Sequence, residues 1–114
     1  MKRGTHEIYL IARSAYEVGF AISKFRESFT KDHGRFDEAL DFAEGKYREY
    51  VRQVNALKVD QRLRHLLPIL KRWLDEMIIY VEALRDRDFI KARQHSDKSI
   101  EIFQEFSSKF EKEV

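Results

Sequence analysis

The stretch GRFDEALDFAEGKYREYV, residues Gly34–Val51, opens on a helix-breaking glycine and settles into a run whose apolar residues recur every three or four positions. A second stretch decides how to read it. DFIKARQHSDKSIEIF, Asp88–Phe103, repeats the same order: an aromatic, a small residue three on, another small residue four further, then large apolar residues. Phe36, Ala39, Ala43, Tyr47 and Tyr50 line up with Phe89, Ala92, Ser96, Ile100 and Phe103 at a constant offset of 53. Each stretch follows a short polar turn and a long apolar helix, so the chain reads as two αα-hairpins.

Working outward, the first helix is expected from Thr5, a good N-cap, to about Lys31. Its core stripe is Ile8, Ile11, Ala12, Ala15, Val18, Gly19, Ile22, Phe25 and Phe29, and TKDHG ends it. The second helix covers 36–57, with Phe36, Leu40, Ala43, Tyr47, Tyr50, Val54 and Leu57 spaced by fours and threes, the seam of a bundle. Acidic residues crowd its start and basic residues its end, as the helix dipole favours. The third covers 60–86 with Asp60 as cap, and Pro68 either kinks it or divides a short helix from a longer one. After RDRD, Asp88 caps a fourth helix over 88–112 whose core stripe is Phe89, Ala92, Ser96, Ile100, Phe103, Phe106 and Phe110.

Each inner turn, with its aromatic-x-x-Ala sequel (Phe36–Ala39 and Phe89–Ala92), resembles the turn inside a tetratricopeptide repeat, where the second helix lies close on the first. The resemblance covers only these turns, because a spacing of 53 is not the roughly 34 of that family. Short connections between long helices favour antiparallel neighbours. The expected fold is therefore all-α, an antiparallel up-down four-helix bundle in one domain, with an open stack of two hairpins as the alternative.

Composition agrees. At 114 residues the chain suits one core, and 43 % apolar with 37 % charged residues suits a helical domain with a charged exterior. The absence of cysteine excludes disulfides, thiolate metal sites and a cysteine nucleophile. Glu7, Arg13 and Glu17 interrupt the first apolar patch before a signal-peptide core could form, and no run approaches the roughly 18 apolar residues of a membrane span. A soluble cytoplasmic protein is expected.

No catalytic or metal-binding pattern emerges. The residues three before the histidines are Arg3, Thr30, Arg62 and Ala92, so the Glu-x-x-His pairs of di-metal bundles are absent. His95, Ser96 and Asp97 are consecutive on a helix, point about 100° apart and cannot bond in series. The four glycines, at 4, 19, 34 and 45, are isolated and make no phosphate loop. Asp37, Asp41 and Glu44 share a face with Arg48 and read as a salt-bridge stripe. Ala15, Gly19 and Ser23 permit a close helix crossing, and Ser96, Ser99 and Ser107 bond back to the preceding turn. No enzyme, cofactor, metal site or small-molecule substrate is expected.

Two features remain. Between Lys46 and Arg72 the net charge is +6 while the whole chain carries +2. Arg62, Arg64 and His65 sit near a helix start, where cations are disfavoured, so Arg48, Arg52, Arg62, Arg64, Lys71 and Arg72 are either an ordinary solvated face or candidate anion binders for nucleic-acid phosphates, an acidic partner or carboxylates of this chain. The second feature is surplus aromatic surface: Tyr9, Tyr16 and Phe20 lie about 100° from the first helix's core stripe, and Phe42 and Ile79 also point away from their cores. They mark either a helix buried on two sides within the monomer or a contact with a protein partner or a second copy. The expected function is a non-catalytic interaction or regulatory module, with a nucleic-acid accessory protein as the alternative.

Overall fold

The computed structural model describes residues 3–25 and 33–114, the side chains of Phe25 and His33 apart. Four helices run in order: α1 (Thr5–Phe25), α2 (His33–Ala56), α3 (Leu66–Arg85) and α4 (Phe89–Glu113), with a 3₁₀ turn over Gln61–Leu63 before α3. They form an antiparallel up-down bundle, 47 × 21 × 18 Å, in which α3 packs extensively against both α2 and α4, and α1 packs on α2. The ring contact between Tyr16 of α1 and Phe103 of α4, 5.3 Å between centroids, brings the last helix back beside the first. The two hairpins touch there, while the rest of the α1/α4 edge stays open.

The core is built on α3. Leu66, Leu70, Leu74, Val81 and Leu84 are wholly buried there, with Leu63 of the preceding 3₁₀ turn, as are Ile8 and Ala15 of α1 and Leu40 and Tyr47 of α2. Burying an aliphatic side chain is worth about 1.5–3 kcal/mol, so this column supplies most of the bundle's cohesion. Arg64 and His65 separate a short 3₁₀ turn from α3, and Pro68 sits at the third residue of that helix, where the missing N–H has no intrahelical partner to lose. Of the two expected outcomes over 60–86 the structure has the short helix followed by a longer one, and Asp60 caps the first by accepting the Arg62 N–H at 2.9 Å.

The start of α2 differs from expectation. α2 begins at His33, taking His33 and Gly34 into its first turn, where a glycine costs least. The expected extension of α1 to Lys31, with Phe29 and the TKDHG turn, lies outside the described residues.

The α3–α4 turn is closed by Arg87, which adopts a left-handed φ of 61°. Its N–H donates to the Leu84 carbonyl at 3.1 Å and the Asp88 N–H donates to that of Ala83 at 2.9 Å, the paired bonds of a Schellman stop. A non-glycine pays strain there, offset by three contacts of the Arg87 guanidinium: the Leu84 carbonyl at 3.0 Å, Asp37 at 2.9 Å and the Phe36 ring at 5.5 Å. Asp88 then starts α4, accepting the Lys91 N–H at 3.1 Å, as expected.

The stripe expected on α4 needs correction. Its buried residues are Ala92, Ser99 and Phe106, while Phe89 and Ile100 are exposed. The matching positions on α2, Phe36 and Tyr47, are buried, because α2 lies between α1 and α3 whereas α4 has a close neighbour only in α3. The face that α4 turns toward α1 is left uncovered.

Candidate interaction groove

On α1 the core stripe and the aromatic stripe diverge as their spacing dictates. Ile8, Ala15 and Ile22 enter the core, while Tyr9, Tyr16 and Phe20 are 45, 54 and 57 % exposed. These three share one wall. At one end Tyr9, Arg13 and Tyr16 face Phe103, Phe106 and Phe110 across a cleft of about 400 Å³. At the other, Tyr16, Gly19 and Phe20 face Ser96, Ile100 and Phe103 across about 470 Å³, floored by Trp73, Met77 and Tyr80 of α3. Tyr16 and Phe103 belong to both ends, so the two clefts are one groove with a waist. Between Tyr9 and Ser23 it runs roughly 21 Å at 1.5 Å per residue.

The α4 wall is an aromatic ladder. Trp73 meets Phe103 at 4.8 Å, Phe103 meets Phe106 at 6.1 Å and Phe106 meets Phe110 at 5.7 Å, spacings at which offset rings attract. On the α1 wall Gly19 permits a tight fit: a Cβ there would lie 3.1 Å from both the Met77 methyl and the Tyr47 hydroxyl, so these side-chain ends would have to shift by a few tenths of an ångström. Ser23 donates back to the Gly19 carbonyl at 3.3 Å and is itself exposed, so the close crossing involves Ala15 and Gly19 but not Ser23. Exposed Ile100, with 52 % of its surface in solvent, completes an apolar lining drawn from three helices.

A larger cleft of about 640 Å³ lies between α1 and α2, but its walls mix Glu17, Arg35 and Glu38 with Phe42. Phe42 is exposed there, with the Lys46 ammonium 5.8 Å from its ring, while Ile79 is half-buried. Neither joins the aromatic groove.

The structure divides the basic residues. Arg48 bonds to Glu44 at 3.3 Å and Glu82 at 3.1 Å, and Arg72 to Glu105 at 2.8 Å, so two of the six face carboxylates of the chain itself. Both stand on flanks turned toward a neighbouring helix. Arg52, Arg62, Arg64 and Lys71 are exposed and form no ion pair among the described residues. Asp37, Asp41 and Glu44 form a salt-bridge stripe, with their main partners across the bundle: Arg85 reaches Asp41 and Glu44 at 2.8 Å each, and Arg87 reaches Asp37. The Arg85 guanidinium, followed by Arg48, holds the Glu44 carboxyl below the usual carboxylate range.

One polar pair was not foreseen. Glu76, almost fully buried on α3, meets His95 Nδ1 at 2.5 Å and Lys98 at 3.4 Å on the flank of α4 away from the groove. Its signal was a carboxylate set between Trp73 and Tyr80, both core residues, which demands a buried partner. Ser99 donates to the Ser96 carbonyl at 2.6 Å, the back-bond expected for a helical serine.

Among the described residues no helix is long and apolar enough to cross a membrane. No family model, curated protein or solved structure matches the chain.

Proposed function

We propose that this chain is a non-catalytic, cytoplasmic interaction module whose α1/α4 groove receives the apolar face of a helical protein segment. One observation carries the reading: aromatic side chains of α1, α3 and α4 line a continuous groove while Tyr9, Tyr16, Phe20 and Ile100 remain about half exposed. Aromatics anchor protein interfaces because each brings a large apolar area at the entropic cost of two rotatable bonds. A groove of this length accommodates about four helical turns, and apolar residues at spacings of three and four would enter its two halves on either side of the waist. Phosphate binding by Arg52, Arg62, Arg64 and Lys71 is the weaker reading, since Arg48 and Arg72 are already occupied by carboxylates.

The test places a photo-crosslinking phenylalanine analogue at Tyr16 or Phe20, and at Phe42 and Ile90 as exposed positions outside the groove. In cells the groove positions should yield a discrete protein adduct that the other two do not. Equal adduct patterns at all four positions, or none in the groove, would overturn the proposal.

A further inference from the structure

We infer that the occupant of the α1/α4 groove is the same face of a second copy, packed about a two-fold axis parallel to the helices; this rests on the groove being a protein-binding surface.

The groove is antiparallel and in register. Tyr16 faces Phe103, Tyr9 shares one end with Phe110, and Phe20 shares the other with Ile100. A two-fold along the helices lays α1 of one copy over α4 of the other and keeps every residue at its own level. Tyr16 and Phe103 of one copy then lie against Phe103 and Tyr16 of the other, and four helices enclose one aromatic layer.

The rim charges favour this arrangement. On α1 the groove is edged by Arg13, which lines it, and by Lys24, whose ammonium lies 4.8 Å over the Phe20 ring. On α4 it is edged by Glu111, which lines it, and by exposed Asp97, two turns before the lining residue Gln104 and so on the same face. Lys24 is one turn beyond Phe20 and Asp97 nearly one turn before Ile100, so Lys24 of one copy comes level with Asp97 of the other. Arg13 and Glu111 belong to the opposite end. Glu17 offsets Arg13 within α1, at 3.3 Å, and Arg93 stands on the α4 rim at the level where α1 ends. The net rim is basic on α1 and acidic on α4. The other face-to-face two-fold, α1 on α1 and α4 on α4, would set like rims together.

Area is consistent with the same occupant. Tyr9, Tyr16, Phe20 and Ile100 leave about half of their surface open, on the order of 400 Å² together at about 200 Å² per large side chain. A stable interface buries about 800 Å² per partner, a little over half of it apolar, so this patch supplies the apolar centre and the charged rim the remainder.

Sedimentation equilibrium should return twice the 13.7 kDa chain mass. Phe20→Glu with Ile100→Glu should return a single chain mass with an unchanged helical circular dichroism spectrum. Lys24→Glu and Asp97→Lys, each alone, should weaken self-association roughly tenfold, since each disrupts two rim pairs per dimer. Mixed in equal amounts, these two variants should regain the wild-type affinity as a heterodimer. A wild-type monomer, or a mixture that gains nothing over its components, would overturn the second-copy assignment. If Tyr16 still crosslinks to a different protein, the groove reading stands and only its occupant changes; if it crosslinks to nothing, both fall.

Discussion

Tyr47 is the residue on which α1, α2 and α3 converge. It is wholly buried, its hydroxyl finds no hydrogen-bond partner among the described residues, and that hydroxyl would lie 3.1 Å from a Cβ on Gly19. A buried hydroxyl without a partner contributes apolar bulk through its ring and a desolvation cost through its oxygen. Tyr47→Phe should therefore leave stability unchanged or raise it by up to about 1 kcal/mol, whereas Tyr47→Ala should lose about 3–5 kcal/mol through the cavity it opens. Burial, followed by the neighbouring phenols of Tyr80 and Tyr50, pushes the Tyr47 phenol well above its ordinary value. A raised folded-state value means that the contribution is complete below the unfolded value of about 10 and is lost as pH rises beyond it. Denaturation at alkaline pH should begin later in Tyr47→Phe than in the parent; coincident alkaline limbs would show that Tyr47 does not govern them. Gly4 is constrained in a different way: its φ is +94° and a Cβ would sit 2.3 Å from Val59, while the preceding Arg3 carbonyl accepts the Asp60 N–H at 2.8 Å.

At the scale of elements, α2 and α3 are joined by carboxylates as well as by core. Arg85 grips Asp41 and Glu44, and Arg48 bridges Glu44 to Glu82. Because the Glu44 value is lowered in the folded state, its contribution is present above the unfolded value of about 4.3 and disappears as pH falls through the folded value. Glu44→Gln should cost about 1 kcal/mol at neutral pH, and its melting temperature should converge with the parent's as the solution is acidified. A gap that stays constant down to strongly acidic pH would mean that the charge on Glu44 is not what matters. The same helices show what a sequence discloses. The seam of α2 was legible from Phe36 to Val54 because helices flank it on both sides, and periodicity then equals burial. On α4 periodicity overshot: Phe89 and Ile100 fit a helical stripe but stay about half exposed, and one sequence does not say which edge of a bundle stays open. The break at Pro68 was legible as a choice, and the helix start settled it. Glu76 and His95 were not legible as a pair, since nothing local connects positions on different helices.

For the whole molecule, the groove was half visible beforehand. Tyr9, Tyr16 and Phe20 announced themselves by lying off the core stripe of their own helix, but the opposite wall, Phe103 and Phe110, read as ordinary core until the packing of α1 and α4 was known. The long bundle has a well-packed centre around α3 and an unfilled α1/α4 seam, the face proposed to meet a partner. Absence of native cysteine makes it directly measurable. Ser23→Cys places a thiol at the groove and Asn55→Cys places one on the exposed surface of α2 outside it; both residues are exposed. Alkylation rates of the two thiols, compared in living cells and in the denatured chains, ask whether the groove is covered when the protein is at work. The thiol at position 23 should react several-fold more slowly than that at 55 in cells and equally fast after denaturation. Equal rates in cells would contradict the proposal.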